Sequence, residues 1–298
     1  VPVVKEAFDG ANAGVTMDGK VYGIPFTQEG YGFIYNAAIL NKAGINPDEI
    51  TSYAKLEEAV KKLDAKKAEL GLEAVFAVAG KETWVTGLHF TNAALSPEFE
   101  NVFNAFNAKK IDFKYSEGMK KLFDLQINYA KKPVNSVDYS TQVEKLFSLG
   151  KVAFMQQGNW TLGAIKGIDE ELAANIGFLP MPIVGAKEDS IQEEIQMYWT
   201  VNSTKDEKTQ AAAKAFLNWM YTSEKGKDAI INKFGFIPPF KGFDSPDLQP
   251  KDALAKDIMK YASAGKTIQW VFMGYPSGWG MEKIGVDLQK YVDGKLTW

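Results

Sequence analysis

Four tryptophans lie at the predicted ends of strands or in loops that contain glycine. These are Trp84, Trp160, Trp199 and Trp279. An indole ring has a flat apolar face and one N–H donor, and a sugar ring has faces of C–H groups and edges of hydroxyl groups. Aromatic rings beside glutamate, asparagine, glutamine and lysine therefore suit a carbohydrate, and the alternative is that these tryptophans belong to the core or its rim. Trp219 lies within an apolar helical run and is expected to be buried.

Carboxylates in predicted loops are the candidates for acid–base chemistry. They are Glu29, Glu82, Glu193 and Glu194. A glycosidase holds two carboxyl groups roughly 5 to 9.5 Å apart, and a sequence does not contain that distance. A glycoside hydrolase or lyase that uses Glu29 or Glu82 therefore remains an alternative, beside the simpler interpretation that these side chains are solvated.

Missing residue types exclude several kinds of site. The chain has no cysteine, which excludes thiol nucleophiles, thiolate metal sites and disulfides. All 34 basic residues are lysine, and arginine is the usual residue for gripping carboxylate and phosphate groups. We therefore expect a ligand that is neutral or cationic.

The single histidine, His89, restricts metal and hydrolase sites further. A cluster of histidine ligands is excluded, and any Ser-His-Asp arrangement must use His89. Because His89 lies in an apolar run, it is expected to be a packed structural residue. No nucleotide-binding loop, zinc-binding helix motif or calcium-loop pattern occurs, so we expect no cofactor and no metal.

The charge balance argues against nucleic acid as a partner. The 298 residues carry a formal net charge of −3 and contain no basic block. Hydrophobic residues make up 46% and charged residues 24%, which predicts a folded chain. No apolar run approaches the roughly 18 residues that a membrane span requires.

One stretch near the start of the chain predicts a crossing between two lobes. The apolar run 21–26 and the aromatic-rich run 31–35 predict two buried strands, with a polar break at 27–30 between them. Such a break suits a chain that leaves one lobe and enters another. It places Glu29 in the crossing itself.

Further along, helices and strands alternate. A helix that Thr51 or Ser52 caps is followed by a short buried strand at 74–79, which is the order typical of an α/β fold. Residues 187–194 are predicted to form an acidic loop between two later strands.

Several short motifs follow one another along nearly the whole chain. They are D-G-K-x-Y-G-I-P-F at 18–26, Y-N at 35–36, A-G at 43–44, L-G-K-x-A-F-M at 149–155, G-N-W at 158–160, T-S-E at 222–224 and G-F-I-P at 235–238. In these motifs and their order the chain resembles the extracellular solute-binding proteins of sugar-type ABC transporters, the broad family that includes maltose-binding protein.

The resemblance implies an α/β, two-lobed periplasmic-binding-protein-like fold that closes on its ligand by hinge motion. It assigns 1–27 and 201–244 to the first lobe and 32–197 and 250–298 to the second, with hinge segments near 25–31, 196–200 and 243–250. Roughly the first hundred residues of a family member, most of one lobe, have no counterpart in this sequence. The first lobe is therefore expected to be incomplete.

The resemblance also implies which residues contact the ligand. The matched positions are Glu29 in the first crossing, Glu82 and Trp84 in an aromatic loop, Asn159 and Trp160 in a stacking loop, Tyr198 and Trp199 in the second crossing, and Trp279 before the last helix. No residue is expected to be catalytic.

The implied function is capture of a neutral mono- or oligosaccharide in an inter-lobe cleft, outside the cytoplasm, and its delivery to the membrane permease of an ABC transporter. The protein is expected to be a monomer that is periplasmic or a cell-surface lipoprotein. A glycoside hydrolase or lyase remains an alternative, as does a binding protein for a cationic solute such as a polyamine.

Overall fold

The computed structural model describes residues 1–243 and 245–298. Its contacts divide the chain into two compact units, each made of two segments. Unit 1 contains Val1–Glu29 and Glu194–Lys256, and unit 2 contains Gly30–Glu193 and Asp257–Trp298. The assignment of lobes and hinges stays a prediction. Its ranges 201–244 and 243–250 include Asp244, which lies outside the described residues.

The strands are short except for one. In chain order they are β1 Thr16–Met17, β2 Lys20–Val21, β3 Ile24–Pro25, β4 Glu29–Asn36, β5 Phe76–Ala77, β6 Phe154–Gly158, β7 Ile176–Leu179, β8 Ile191–Glu194, β9 Tyr198–Trp199 and β10 Thr267–Ile268.

Helices make up most of the remaining regular structure. The α-helices are α1 Ala37–Ala43, α2 Tyr53–Ala65, α3 Thr91–Phe99, α4 Val102–Asn107, α5 Ser116–Asn128, α6 Leu162–Ile168, α7 Glu170–Ala174, α8 Glu207–Thr222, α9 Glu224–Asp228, α10 Ala253–Ser263 and α11 Val286–Val292. Segments with π-helical hydrogen bonds are Val85–Phe90, Thr141–Phe147, Ala229–Lys233 and Trp279–Gly285.

Strand β4 is the centre of the six-stranded sheet of unit 2. It pairs antiparallel with β6, where Tyr31 lies opposite Gly158, and antiparallel with β7, where Phe33 lies opposite Leu179. Strand β5 runs parallel to β6, and β10 runs parallel to β8. This register brings Tyr31 next to the loop that follows β6.

Both faces of this sheet are covered along β4, where consecutive side chains point to opposite faces. Tyr31, Phe33 and Ile34 are fully buried in β4, as expected for a central strand of a sheet covered by helices. Helix α2 begins as predicted, because the Ser52 side chain accepts a hydrogen bond from the Lys55 amide at 3.4 Å.

Unit 1 has a separate and smaller core. Its buried side chains include Val3, Ile24, Leu217, Ile230 and Phe240. They come from the first residues of the chain, from β3, from α8 and from the segments after it. Its strands β3 and β9 pair antiparallel over two residues each.

The prediction of one buried strand over 21–26 is wrong. Lys20 and Val21 pair with β1 in a hairpin, and Val21 is 41% exposed. Asp18 and Gly19 have φ values of 50° and 72°, which is the left-handed turn that such hairpins require. Only Ile24–Pro25 forms the expected buried strand.

Two further predictions fail because tertiary contacts override local pattern. The predicted acidic loop 187–194 contains strand β8, in which Ile191 and Gln192 are fully buried beside β10. Trp219 is 45% exposed, because α8 buries a narrow face and Trp219 lies outside it, stacked on Phe216.

None of the helices in the described part of the chain is long and apolar enough to cross a membrane.

Candidate functional site

Six rings from distant parts of the sequence form one cluster in unit 2, called here the aromatic cluster. Its members are Tyr31 of β4, Trp84 just before the π-helical segment Val85–Phe90, His89 within that segment, Trp160 after β6, and Trp270 and Phe272 after β10. Tyr31, His89, Trp270 and Phe272 are buried, whereas Trp84 and Trp160 are half-buried. The cluster therefore has a buried floor and two partly open indole rings.

The two open indoles, Trp84 and Trp160, lie side by side. Their ring centroids are 6.5 Å apart, and the ring planes are inclined by 57°. The buried His89 ring contacts both indoles, with ring centroids 5.1 Å from Trp84 and 5.4 Å from Trp160. Flat apolar faces at this separation can stack on the C–H face of a sugar ring.

Glu82 holds the Trp84 indole. The Trp84 Nε1–H group donates to Glu82 Oε2 at 3.3 Å, and the other carboxylate oxygen accepts from the Tyr139 amide at 3.3 Å. Both oxygens of Glu82 thus have partners within unit 2. The carboxylate orients Trp84 and ties it to the Tyr139 backbone.

Trp160 is held by the residues just before it. Its Nε1–H group donates to Gln157 Oε1 at 3.0 Å. The ring lies against Gly158 so closely that a Cβ atom there would be 2.2 Å from a carbon of the six-membered ring. Only glycine leaves room for the indole at this point of β6.

Asn159 links two strands at the end of the sheet, beside the Trp160 ring. Its Oδ1 atom accepts a hydrogen bond from the Gly30 amide at 3.2 Å, and its side chain is half-buried. The bond joins the loop after β6 to the start of β4. Asn159 and Trp160, predicted as one stacking loop, lie at the end of the same two strands.

His89 is the packed structural residue that the sequence predicts. Its ring stacks on Tyr31 with a centroid distance of 4.3 Å and an angle of 13°. Burial among aromatic rings lowers the pKa of His89 to about 3, because the charged imidazolium loses its solvation. The ring is therefore neutral at physiological pH.

Trp279 lies apart from the aromatic cluster's open rings, at the start of the segment Trp279–Gly285. It packs edge-on against Tyr275, with ring centroids 4.8 Å apart, and both contact the small apolar cluster around Val271. An open pocket of about 530 Å³ lies beside this segment and reaches Phe272 of the aromatic cluster and Thr83. The pocket is thus a neighbour of the cluster within unit 2.

The other predicted contacts belong to unit 1. Glu29 accepts a hydrogen bond from Gln196 Nε2, and burial raises the pKa of the Glu29 carboxyl above its ordinary value. The Trp199 Nε1–H group donates to the Tyr221 hydroxyl at 3.0 Å, and the Tyr198 hydroxyl donates to the Ile195 carbonyl at 3.2 Å. The polar atoms of Tyr198 and Trp199 thus have partners inside their own unit.

Sequence reasoning missed three members of the cluster, Tyr31, Phe272 and Trp270, of which Trp270 is the largest. It lies in a run of aromatic residues after β10, and that composition is the signal that could have identified it. The sequence signal for Tyr31 and Gln157 was weaker, because single tyrosine and glutamine residues are common in and beside predicted strands. Among the described residues, no group of three or more His, Asp or Glu side chains is arranged to hold a metal ion.

Comparison with known proteins agrees with this fold. Residues 3–257 match the family of bacterial extracellular solute-binding proteins. No curated protein sequence matches the chain.

Solved structures of similar fold share little sequence with the chain. A chitin oligosaccharide binding protein has a TM-score of 0.78 at 20% identity, over 99% of this chain and 72% of its own. The solute-binding protein RafE in complex with raffinose has a TM-score of 0.72 at 19% identity, over 97% and 73%. A sugar transporter protein from Bacillus licheniformis in complex with stachyose has a TM-score of 0.73 at 18% identity, over 100% and 75%.

These similarities confirm the predicted α/β fold of a solute-binding protein. Because the family match spans most of its length, the chain belongs to the family of bacterial extracellular solute-binding proteins.

Proposed function

We propose that this protein binds a neutral carbohydrate outside the cytoplasm and delivers it to the permease of an ABC transporter. The observation that carries the proposal is the pair of half-buried indoles, Trp84 and Trp160, on a floor of buried rings. An apolar platform rimmed by polar groups suits the C–H faces and hydroxyl edges of a sugar.

The composition and the comparisons support a neutral sugar as the ligand. The chain contains no arginine, and the aromatic cluster contains no charged side chain of its own, since His89 is neutral. The proteins of similar fold include a chitin oligosaccharide binding protein, a raffinose complex and a stachyose complex. We assign this chain a ligand of the same chemical class, a mono- or oligosaccharide.

The residues of the site divide into stacking and polar roles. Trp84 and Trp160 stack on the sugar, and their N–H groups, already donated to Glu82 and Gln157, hold the rings in place. The Asn159 side chain, beside Trp160, hydrogen-bonds a hydroxyl group. Glu29, Tyr198, Trp199 and Trp279 remain predicted contacts.

We propose binding without turnover, by a monomer that is periplasmic or anchored to the cell surface as a lipoprotein. The family consists of solute-binding proteins. A glycoside hydrolase or lyase would release new reducing or unsaturated ends from an oligosaccharide. Incubation with a ligand that binds is expected to leave it intact.

The test of the site is Trp160→Ala, measured by calorimetry with a sugar selected from a thermal-shift panel that also contains polyamines. Loss of one stacked ring removes about 1 kcal/mol beyond the buried area, so the affinity is expected to fall by roughly fivefold or more. The variant is expected to stay folded but to melt at a lower temperature without sugar, because Trp160 contacts buried rings and its N–H group is the partner of the buried Gln157 Oε1.

Trp219→Ala is the matched control. Trp219 is also a partly exposed indole that stacks on another ring, but it lies on α8 in unit 1. Its removal is expected to leave the affinity unchanged. Equal affinities of the Trp160→Ala and wild-type proteins would contradict the assigned site, and stabilisation by polyamines alone would contradict a carbohydrate ligand.

A further inference from the structure

Three hydrogen bonds form a relay that runs from the Trp160 ring into the interior of unit 2. Trp160 Nε1–H donates to Gln157 Oε1 at 3.0 Å, and Gln157 Nε2 donates to Gln142 Oε1 at 2.8 Å. Gln142 Nε2 in turn donates to the Ala77 carbonyl at 2.8 Å. Gln142 and Gln157 are 0% and 1% exposed, so water does not replace these bonds.

The two ends of the relay determine its direction. An indole N–H can only donate and a backbone carbonyl can only accept. Each glutamine between them must therefore present its oxygen towards Trp160 and its nitrogen towards Ala77. Reversal of either amide would place donor against donor or acceptor against acceptor in a buried site, which is costly.

The relay and Gly158 together restrain the ring at both ends. The N–H edge of the Trp160 indole is held by Gln157, and the six-membered ring lies against Gly158. Rotation of the indole about its Cβ–Cγ bond would break the hydrogen bond or drive the ring into β6. The exposed face of Trp160 is thus presented at one angle.

We propose that Gln142 and Gln157 are positioning residues that set the orientation of the Trp160 stacking face. Gln142 acts at a distance, through the amide of Gln157. The inference rests on the proposed function for its consequence, sugar binding. The orientation of the ring itself is a property of the protein without ligand.

The experiment follows the indole N–H signal of Trp160 in the ¹⁵N-labelled protein, assigned with the Trp160→Phe variant. In Gln142→Met, a side chain of similar length without polar groups, the Trp160 signal is expected to shift and its proton to exchange faster with water. The affinity for the sugar that the wild-type protein binds is expected to fall severalfold.

Gln126→Met is the matched control. Gln126 is another buried glutamine of unit 2, at 1% exposure on α5, and it is not part of the relay. This variant is expected to leave the Trp160 signal in place. A Gln142→Met protein that melts at lower temperature but keeps the wild-type Trp160 signal would overturn the proposal, since Gln142 would then serve stability alone.

Three further cases complete the test. If Gln142→Met does not fold, Gln157→Met tests the bond nearest the indole, and an unshifted Trp160 signal there overturns the proposal. If the wild-type protein binds no sugar but the Trp160 signal shifts in Gln142→Met, the positioning role stands and the proposed function fails. If the wild-type protein binds sugar while Gln142→Met changes neither signal nor affinity, the function stands and the positioning role fails.

Discussion

At the scale of single residues, burial decides what His89 can do. Its ring contacts Tyr31, Trp84, Trp160, Trp270 and Phe272, and no acid or base lies among these neighbours. With a pKa lowered to about 3 by burial, His89 does not titrate near neutral pH. It is a neutral part of the floor on which the open indoles lie.

This burial predicts a pH dependence of stability. Between about pH 6.5 and 3 the unfolded chain binds a proton at His89 that the folded chain does not. Stability therefore falls as the pH decreases through this range, by roughly 1.4 kcal/mol per pH unit from this residue. Above pH 6.5 both states are neutral at His89, and its contribution is constant.

The measurement is urea unfolding of the wild-type and His89→Gln proteins at pH 7, 6, 5 and 4. The wild-type protein is expected to lose stability more steeply than the variant below pH 6.5. Comparison of slopes removes the effects of the many carboxyl groups that both proteins share. Parallel slopes would show that His89 is accessible to protons in the folded state.

At the scale of elements, glycines allow two helical segments to touch in unit 2. The segments Val85–Phe90 and Trp279–Gly285 pack backbone against backbone. A Cβ atom on Gly87 would lie 1.9 Å from the Gly280 carbonyl oxygen and 2.8 Å from Gly285 Cα. The helical segment that follows Trp84 is therefore positioned by a contact that a larger side chain would prevent.

Gly87→Ala is expected to destabilise the protein by about 1–3 kcal/mol or more, because the two backbones must separate. Urea unfolding measures this change. Gly163→Ala on α6 is the matched control, since a Cβ atom there meets nothing within 4 Å. Alanine is the better helix former by about 0.5–1 kcal/mol, so this variant is expected to be as stable as the wild type or more so. A Gly87→Ala protein as stable as Gly163→Ala would refute the close packing.

At the scale of the whole molecule, the two units differ in the size of their cores. Among the described residues, the largest cluster of unit 2 contains 32 buried hydrophobic side chains and the cluster of unit 1 contains 11. The strands of unit 2 also include a longer one than any strand of unit 1. Seven of the eight residues of β4, 30–36, belong to unit 2 and lie in a six-stranded sheet, whereas β1, β2, β3 and β9 of unit 1 have two residues each.

We therefore expect unit 1 to open at lower free energy than unit 2. Native-state hydrogen exchange measures this directly, because amides exchange at the free energy of the local opening that exposes them. The slowest amides of β3, β9 and α8 are expected to exchange faster than those of β4 and β6. Equal protection in both units would indicate that the chain unfolds in one step.

Local signals in the sequence determined the elements whose structure depends on their own residues. Ser52 begins α2 and Gly44 ends α1 in the left-handed conformation, as a capping serine and a terminal glycine predict. Residue types also determined the kinds of site that are excluded. The sequence motifs sufficed to predict the family, because they follow one another in order over most of the length of the chain.

Only the tertiary structure decided which side chains share a site. Periodicity predicted that Trp219 is buried, yet Trp270 is 1% exposed and Trp219 is 45% exposed. Trp84 and Trp160 are neighbours although they are 76 positions apart in the sequence, and Gln142 reaches Trp160 through Gln157. The physical reason is that the local sequence pattern determines whether a segment forms a helix or a strand. Which of its side chains are buried, and what they contact, depends on the other elements that pack against it.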